Sequence, residues 1–289
     1  MKIVLGKDDL AATAVAAAGA DAERLGIRPV HKASRGFVSG TSADICELAI
    51  VTLLQAVAYD KPVALLPITM LGRHQHQTLV TMGDLGIADL PGRRVGVRSW
   101  SQTTGVWLRG FLSEQYGVDL KTIEWQTYEG AHVDEAADPS WVARADDGAK
   151  LQVDFLEGRL DYGIMGNERP DDDRIRTAIP DAAEVAAKWA ADHGFAPVNH
   201  VVGVNVAAAK ADPAAVLAVY DALARAVSGL PANGSVNLNP VGFNGLRGPI
   251  TAAARYAYEQ QVLPRPVEFD EIVDRTCAAL GVPASRLGG

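Results

Sequence analysis

The side chains of this chain that could transfer protons near neutral pH are its six histidines. An imidazole gains and loses a proton in that range, so a histidine in a cleft can act as a general acid or base. His132 follows a predicted strand and His200 begins another, so a two-domain chain would bring both to its cleft. We expect these two to include the proton donor. His76 and Glu47 are the further candidates for proton transfer.

Histidines that converge with a carboxylate would also suit a divalent metal. No pair here has the HxxxH spacing of a helical site, and His74 with His76 is compatible only with a strand-borne pair. We therefore expect no metal. His31 and His193 are interpreted as structural or surface residues, because nothing around them converges in the sequence.

An anion site is indicated by the segment 95–119. A short β-branched run, Val95 and Val97, precedes a polar cluster, and a helix is predicted over residues 103–116. The cluster that opens this helix consists of Ser99, Ser101, Gln102, Thr103 and Thr104. Free backbone N–H groups at a helix start carry about half a positive charge, so a carboxylate or phosphate could bind there without an obligatory cation. An ordinary capped helix after a strand is the alternative reading of this pattern.

Three arginines could anchor a carboxylate through the planar guanidinium fork: Arg73, Arg98 and Arg109. A surface or interdomain salt bridge is the alternative for each of them.

The elements that must position these residues alternate between strand and helix, which predicts α/β layers. Strands are predicted over 28–33, 62–69, 78–82, 94–98, 123–128, 160–165 and 201–206, besides a first strand at the N-terminus. Helices are predicted over 9–25, 48–58, 150–157, 181–193, 213–230, 249–261 and 267–280, besides 103–116. We predict a discontinuous first domain, 1–83 and 202–289, and an inserted second domain, 84–201, with a ligand cleft between them.

The composition suits a globular protein, since 48% of the 289 residues are hydrophobic and 21% are charged. The net charge of −8 argues against nucleic-acid or membrane partners and requires a local positive patch for any anionic ligand. Cys46 and Cys277 are too few for a disulfide framework. The alanine-rich stretch after the first strand does not have the pattern of a signal peptide, and no run of about 18 apolar residues occurs, so we expect a cytoplasmic protein.

Several motifs in this sequence resemble those of one known family. The run 96–110 reads Gly-Val-Arg-Ser-Trp-Ser-Gln-Thr-Thr-Gly-Val-Trp-Leu-Arg-Gly, and residues 116–118 read Tyr-Gly-Val. Further motifs in matching order are at residues 44–47, 73–74, 131–135, 138–139, 197–200 and 258–261. Together they resemble the 4,5-dihydroxyphthalate decarboxylase family. The continuation Arg73-His74-Gln75-His76-Gln77 departs from that family's pattern, so a relative acting on another aromatic or unsaturated acid stays open.

The resemblance implies a two-domain fold of the type II periplasmic-binding-protein kind and a lyase of aromatic compound metabolism. Such an enzyme removes one carboxylate from a hydroxylated aromatic diacid without a cofactor: a general acid protonates the ring carbon and CO2 leaves. The expected substrate-binding residues are Arg73, His74, Arg98, Ser101, Gln102, Thr103, Thr104, Trp107 and Asn199. The expected partner is a small anionic aromatic substrate, and the sequence is compatible with a homo-oligomer. A binding protein for a small carboxylate, without chemistry, is the alternative.

Overall fold

A computed structural model of the protein describes residues 1–229 and 236–289. These residues form eleven β-strands and ten α-helices. The strands are β1 (Lys2–Val4), β2 (Glu23–Arg24), β3 (Ile45–Ala49), β4 (Val63–Gly72), β5 (Leu79–Thr81), β6 (Arg94–Val97), β7 (Glu124–Thr127), β8 (Val142–Arg144), β9 (Tyr162–Ile164), β10 (Arg176–Thr177) and β11 (Val198–Asn205). The helices are α1 (Asp8–Ala18), α2 (Ser34–Val38), α3 (Ile50–Ala58), α4 (Thr103–Tyr116), α5 (Leu151–Leu156), α6 (Ala182–His193), α7 (Val206–Ala211), α8 (Pro213–Ser228), α9 (Gly242–Glu259) and α10 (Phe269–Leu280).

The strands pair in two sheets. The order in the first is β2-β1-β3-β11-β4, and the order in the second is β10-β5-β9-β6-β7-β8. Most neighbours that are joined through a helix are parallel, as in the pairs β1 with β3 and β6 with β7. β11 and β5 are antiparallel to their neighbours, because each enters its sheet from the other one. The mixed α/β class predicted from the sequence is confirmed.

The chain passes between the sheets twice. β4 ends at Gly72 in the first sheet and β5 begins at Leu79 in the second, and β11 returns to the first sheet at Val198. The domain limits of 83 and 202 stay a prediction. Leu79–Thr81, which we expected in the first domain, pairs with β9 in the second sheet.

Several stretches differ from the predicted secondary structure, and helix α9, for example, begins at Gly242 rather than at residue 249. Ile45–Ala49, expected as a loop and a helix start, is a buried strand. The sequence pattern does not indicate this strand, because the charged Glu47 interrupts its apolar residues. Residues 28–33 contain a short 3-10 turn, Val30–Ala33, rather than a strand, since Pro29 has no N–H for a sheet ladder. The first helix ends at Ala18, seven residues before its predicted end. Leu230, the predicted end of α8, lies outside the described residues.

Helix α4 occupies its predicted range, and its packing explains the aromatic and glycine positions of the motif at 96–110. Trp107 is fully buried and its indole N–H donates to the carbonyl of Val198 at 2.9 Å. A Cβ on Gly110 would lie 2.3 Å from the ring of Tyr256 in α9, so only glycine permits this close approach. These residues fix α4 against the core.

Within the described ranges, none of the helices combines the length and the apolar character that a bilayer crossing requires. The cytoplasmic location stays a prediction.

Candidate functional site

A cavity of about 450 Å³ lies where strand ends of the two sheets meet. Ala49 at the end of β3 and Leu71 near the end of β4 line one wall, and Arg98 lies directly after β6 on the other. Because β11 runs antiparallel to β3 and β4, its first residues, including Asn199 and His200, reach the same space. Open α/β sheets commonly bind ligands outside the carboxyl ends of their strands.

Two helix N-termini border the cavity. Helix α4 begins after Gln102 and α3 begins after Ala49, and neither has a side-chain cap or an acidic residue in its first turn. The Thr103 hydroxyl accepts a hydrogen bond from the backbone N–H of Val51 at 3.3 Å and thereby joins the two helix starts. The positive ends of both helix dipoles are therefore directed at one region, which favours a bound anion.

Arg73 adds a cation to the α4 side of the cavity. One terminal nitrogen donates to Asn167, and the other donates to the Thr104 hydroxyl at 3.3 Å. Its Nε is buried and has no hydrogen-bond partner among the residues that the structure describes. Burial lowers the pKa of Arg73, and the charge of Glu168 partly opposes that shift. A guanidinium stays charged at neutral pH, so Arg73 can bind a carboxylate in the cavity.

Arg98 is the second cation in the lining. Its Nε lies 3.7 Å from a carboxylate oxygen of Glu129, beyond hydrogen-bond distance. The carboxylate of Glu168 also lines the cavity and accepts a hydrogen bond from Gln102 Nε2 at 2.8 Å. The two arginines thus have acidic neighbours, but neither makes a close bidentate ion pair with them, and both have donors to offer a ligand.

A histidine–carboxylate pair joins β11 to β3. His200 Nδ1 donates to Glu47 Oε1 at 2.6 Å, and the backbone N–H of Gly6 donates to Glu47 Oε2 at 2.7 Å. Burial works against ionisation of Glu47, but the hydrogen bond and charge of His200, together with the Gly6 bond, outweigh it and lower the pKa of the carboxyl. Glu47 is therefore an anion at neutral pH, and it fixes the ring of a histidine that lines the cavity.

His132 occupies the opposite wall in a different environment. Its Nδ1 lies 2.8 Å from the Thr52 hydroxyl, and its ring stacks with that of His31 at 6.4 Å between centroids. Burial, with the nearby charges of His31 and Arg98, lowers the pKa of His132 to about 4. His132 is consequently neutral at pH 7 in the ligand-free protein.

The structure brings together most of the residues predicted for the site. Those lining the cavity are Arg73, Arg98, Ser101, Gln102, Thr103, Thr104, His132, Asn199 and His200. Glu47 lies behind His200 and contacts it.

Besides Glu47, three of the expected catalytic and substrate-binding residues lie outside the lining, so the structure does not bring them to this cavity. His76 is fully buried, where it stacks on Phe111 at 4.2 Å and lies 2.7 Å from Gln115 Oε1. Trp107 belongs to the core. His74 is half-buried in the connection after β4 and does not line the cavity, although Arg73 beside it does.

Sequence reasoning missed several residues of the lining, of which the polar ones are His31, Thr52, Glu129, Asn167 and Glu168. The sequence indicates a structural or surface role for His31 because nothing around it converges, whereas in the structure its ring stacks on that of His132. Thr52 lies in the first turn of α3, a position that a correct boundary between β3 and α3 would have indicated. Arg109, a candidate anchor, is fully buried and does not line the cavity.

Across residues 1–229 and 236–289, no three His, Cys, Asp or Glu side chains are grouped so that they could hold a metal ion. The expectations of no metal and no cofactor stay predictions.

Two decarboxylases are similar to this chain. It is 27% identical over 188 residues to 4,5-dihydroxyphthalate decarboxylase from Comamonas testosteroni, which covers 59% of this chain and 56% of that protein. It is 33% identical over 86 residues to 4,5-dihydroxyphthalate decarboxylase from Pseudomonas putida, which covers 28% of this chain and 33% of that protein. The matches thus span a third to just over half of the relatives' length. The resemblance drawn from the sequence motifs is confirmed. No protein-family model matches the chain.

Two solved structures with a similar fold are of binding proteins. The alkanesulfonate-binding protein SsuA from Xanthomonas axonopodis pv. citri, bound to MOPS, has a TM-score of 0.52 at 15% identity, covering 94% of this chain and 96% of that one. A ligand-binding component of an ABC-type import system from Staphylococcus aureus, with zinc bound, has a TM-score of 0.51 at 11% identity, covering 96% and 98%. At these identities the likeness shows the fold alone, and it confirms the type II periplasmic-binding-protein-like fold.

Proposed function

We propose that this protein is a decarboxylase that converts a hydroxylated aromatic dicarboxylic acid, of the 4,5-dihydroxyphthalate type, to the monoacid and CO2. The observation that carries the proposal is the pair of His200 and Glu47, which presents an oriented imidazole to a cavity lined by Arg73 and Arg98. The similarity to two decarboxylases supports the same reaction class.

In this proposal the retained carboxylate binds at the start of α4. Thr104 and Ser101 offer hydroxyls there, Arg73 offers its guanidinium, and the helix start offers free N–H groups. Charge-assisted hydrogen bonds to a carboxylate are about twice as strong as neutral ones, so these contacts fix the ring in one orientation. The reacting carboxylate is then directed toward the β11 wall.

The proton comes from His200. The Glu47 carboxylate accepts a hydrogen bond from Nδ1 and orients the ring, which leaves Nε2 to donate the proton. The Nε2 proton adds to the ring carbon that bears the departing carboxylate. The bond from that carbon to the carboxylate then breaks, its electron pair restores the aromatic ring, and CO2 leaves. His200 is left neutral and regains a proton from solvent.

His132 has a complementary role. Because it is neutral at pH 7, it can accept a hydrogen bond from the ring hydroxyl para to the departing carboxylate. That hydrogen bond raises the electron density on the hydroxyl oxygen, which the ring passes to the para carbon that is protonated. We therefore assign the role of general acid to His200 and that of hydrogen-bond acceptor for the ring hydroxyl to His132. The sequence did not distinguish these two residues.

The test is CO2 release from 4,5-dihydroxyphthalate and from a panel of hydroxybenzoates. A general acid contributes about 10²–10⁴-fold, so we expect His200→Gln to lower turnover by that order while substrate still binds. His193→Gln is the matched control, since His193 also lies beside a glutamate, Glu114, but does not line the cavity. Equal turnover in the two variants would contradict the assignment of His200.

A second candidate function is capture of a small carboxylate without chemistry, which the fold of the solved binding proteins favours. Thermal stabilisation by the panel, with no CO2 released from any member, would select this function instead.

A further inference from the structure

Arg109 carries a buried positive charge for which the reaction above has no use. Its side chain is fully buried. Nε donates to Gln260 Oε1 at 2.8 Å and Nη2 donates to the carbonyl of Trp100, so both acceptors are uncharged. Nη1 has no hydrogen-bond partner within the described part of the chain. A buried cation normally has a carboxylate partner, so this arrangement requires an explanation.

The position of the guanidinium supplies one. Side chains on a helix lean toward its N-terminus, and Arg109 reaches back by one turn of α4 to Gly105. A Cβ on Gly105 would lie only 2.8 Å from Arg109 Nη1, so glycine makes room for the cation in the first turn of the helix. That turn begins with Thr103 and Thr104, which line the cavity.

The groups around Arg109 leave it protonated and screen its charge only weakly. The guanidinium lies 3.6 Å above the ring of Trp100 and 5.7 Å from that of Trp125, so aromatic groups rather than water separate it from its neighbours. The carboxylate that acts on it most, Asp138, is itself paired with Arg144. Burial lowers the pKa of Arg109, but a guanidinium begins so far above neutrality that it stays protonated at pH 7.

We infer that Arg109 is a specificity-determining residue that favours anionic ligands through its buried charge, by adding to the positive end of the α4 dipole without contacting the ligand. This inference rests on the anion site proposed above, but it does not depend on decarboxylation. Two unit charges about 10 Å apart in a partly buried site attract each other enough to change affinity by roughly tenfold. The effect should therefore scale with the charge of the ligand.

Two variants remove the charge in different ways. Arg109→Met deletes the cation, and Gln260→Glu keeps it but places an anion beside Nε in a side chain of nearly the same shape. Arg275→Met is the matched control, because the Arg275 guanidinium also donates to backbone carbonyls, those of Val63 and Lys61, but does not line the cavity. The probes are phthalate with two charges, benzoate with one, and neutral phthalamide, with dissociation constants from calorimetry.

We expect both variants to bind benzoate about tenfold more weakly, phthalate still more weakly, and phthalamide as the wild type does. The ratio of phthalate to benzoate affinity therefore falls in both, while Arg275→Met leaves it unchanged. An unchanged ratio in Gln260→Glu would overturn the inference even if Arg109→Met does not fold. Equal losses for all three probes would indicate a structural role only. If the wild-type protein binds neither anion, the proposed anion site is wrong. Anion binding without CO2 release would contradict only the proposed decarboxylase activity.

Discussion

Glu47→Gln tests the proposed proton donor most directly, because it keeps the shape of the side chain and removes its charge. The carbonyl of the introduced amide can still accept from Gly6, but its NH2 group replaces the anion beside His200 Nδ1. A hydrogen bond to a charged group contributes about 1.5–3 kcal/mol, and Glu47→Gln replaces the charged bond that orients His200 with a neutral contact. At about 1.36 kcal/mol per tenfold change in rate, the loss of that contribution should lower kcat by about 10- to 100-fold.

The assay is kcat for CO2 release, recorded for the wild type, Glu47→Gln and Glu114→Gln. Glu114 is the matched control because it contacts His193 at 3.2 Å, outside the cavity. We expect Glu47→Gln to lower kcat by about 10- to 100-fold and Glu114→Gln to leave it close to the wild-type value. If the two variants lower kcat equally, Glu47 does not act on the proton donor.

Three further predictions concern the cavity and the helix behind it. Thr104→Val removes the hydroxyl that accepts from Arg73, so phthalate affinity should fall by about 1–3 kcal/mol with little change in thermal stability. Thr103→Val removes the hydrogen bond to Val51 and should lower stability as well. The opposite order of the two stabilities in calorimetry would contradict the assignment. The depressed folded-state pKa of His132, about 4, means that the unfolded chain binds the proton more strongly, so stability is lost as pH falls from about 6.5 to 4. His132→Gln should therefore flatten the dependence of the unfolding free energy on pH by on the order of 2 kcal/mol in that window, and an unchanged slope in urea titrations would refute this. Gly110→Ala should lower the free energy of unfolding by about 1–3 kcal/mol, because its Cβ would overlap the Tyr256 ring, and an unaltered melting temperature would show that the ring moves at no cost.

Local pattern in the sequence was sufficient for several elements. Helix α4 occupies its predicted range because a β-branched strand, a hydroxyl-rich turn and apolar residues at helical spacing all point to one local structure. The alternation of strand and helix determined the α/β class, and the motif at 96–110 determined the family resemblance, since both depend only on order along the chain.

The site needed long-range contacts that no local pattern contains. The sequence pattern places Glu47 in a loop, yet it lies within a buried strand. Its carboxylate is satisfied there by hydrogen bonds from Gly6 and from His200, which is more than 150 residues away. His132 and His200 have the same side chain and were equivalent in the sequence. The tertiary structure distinguishes them by giving His200 a carboxylate partner and His132 a hydroxyl and positive neighbours, and those contacts are made by residues far away in the sequence.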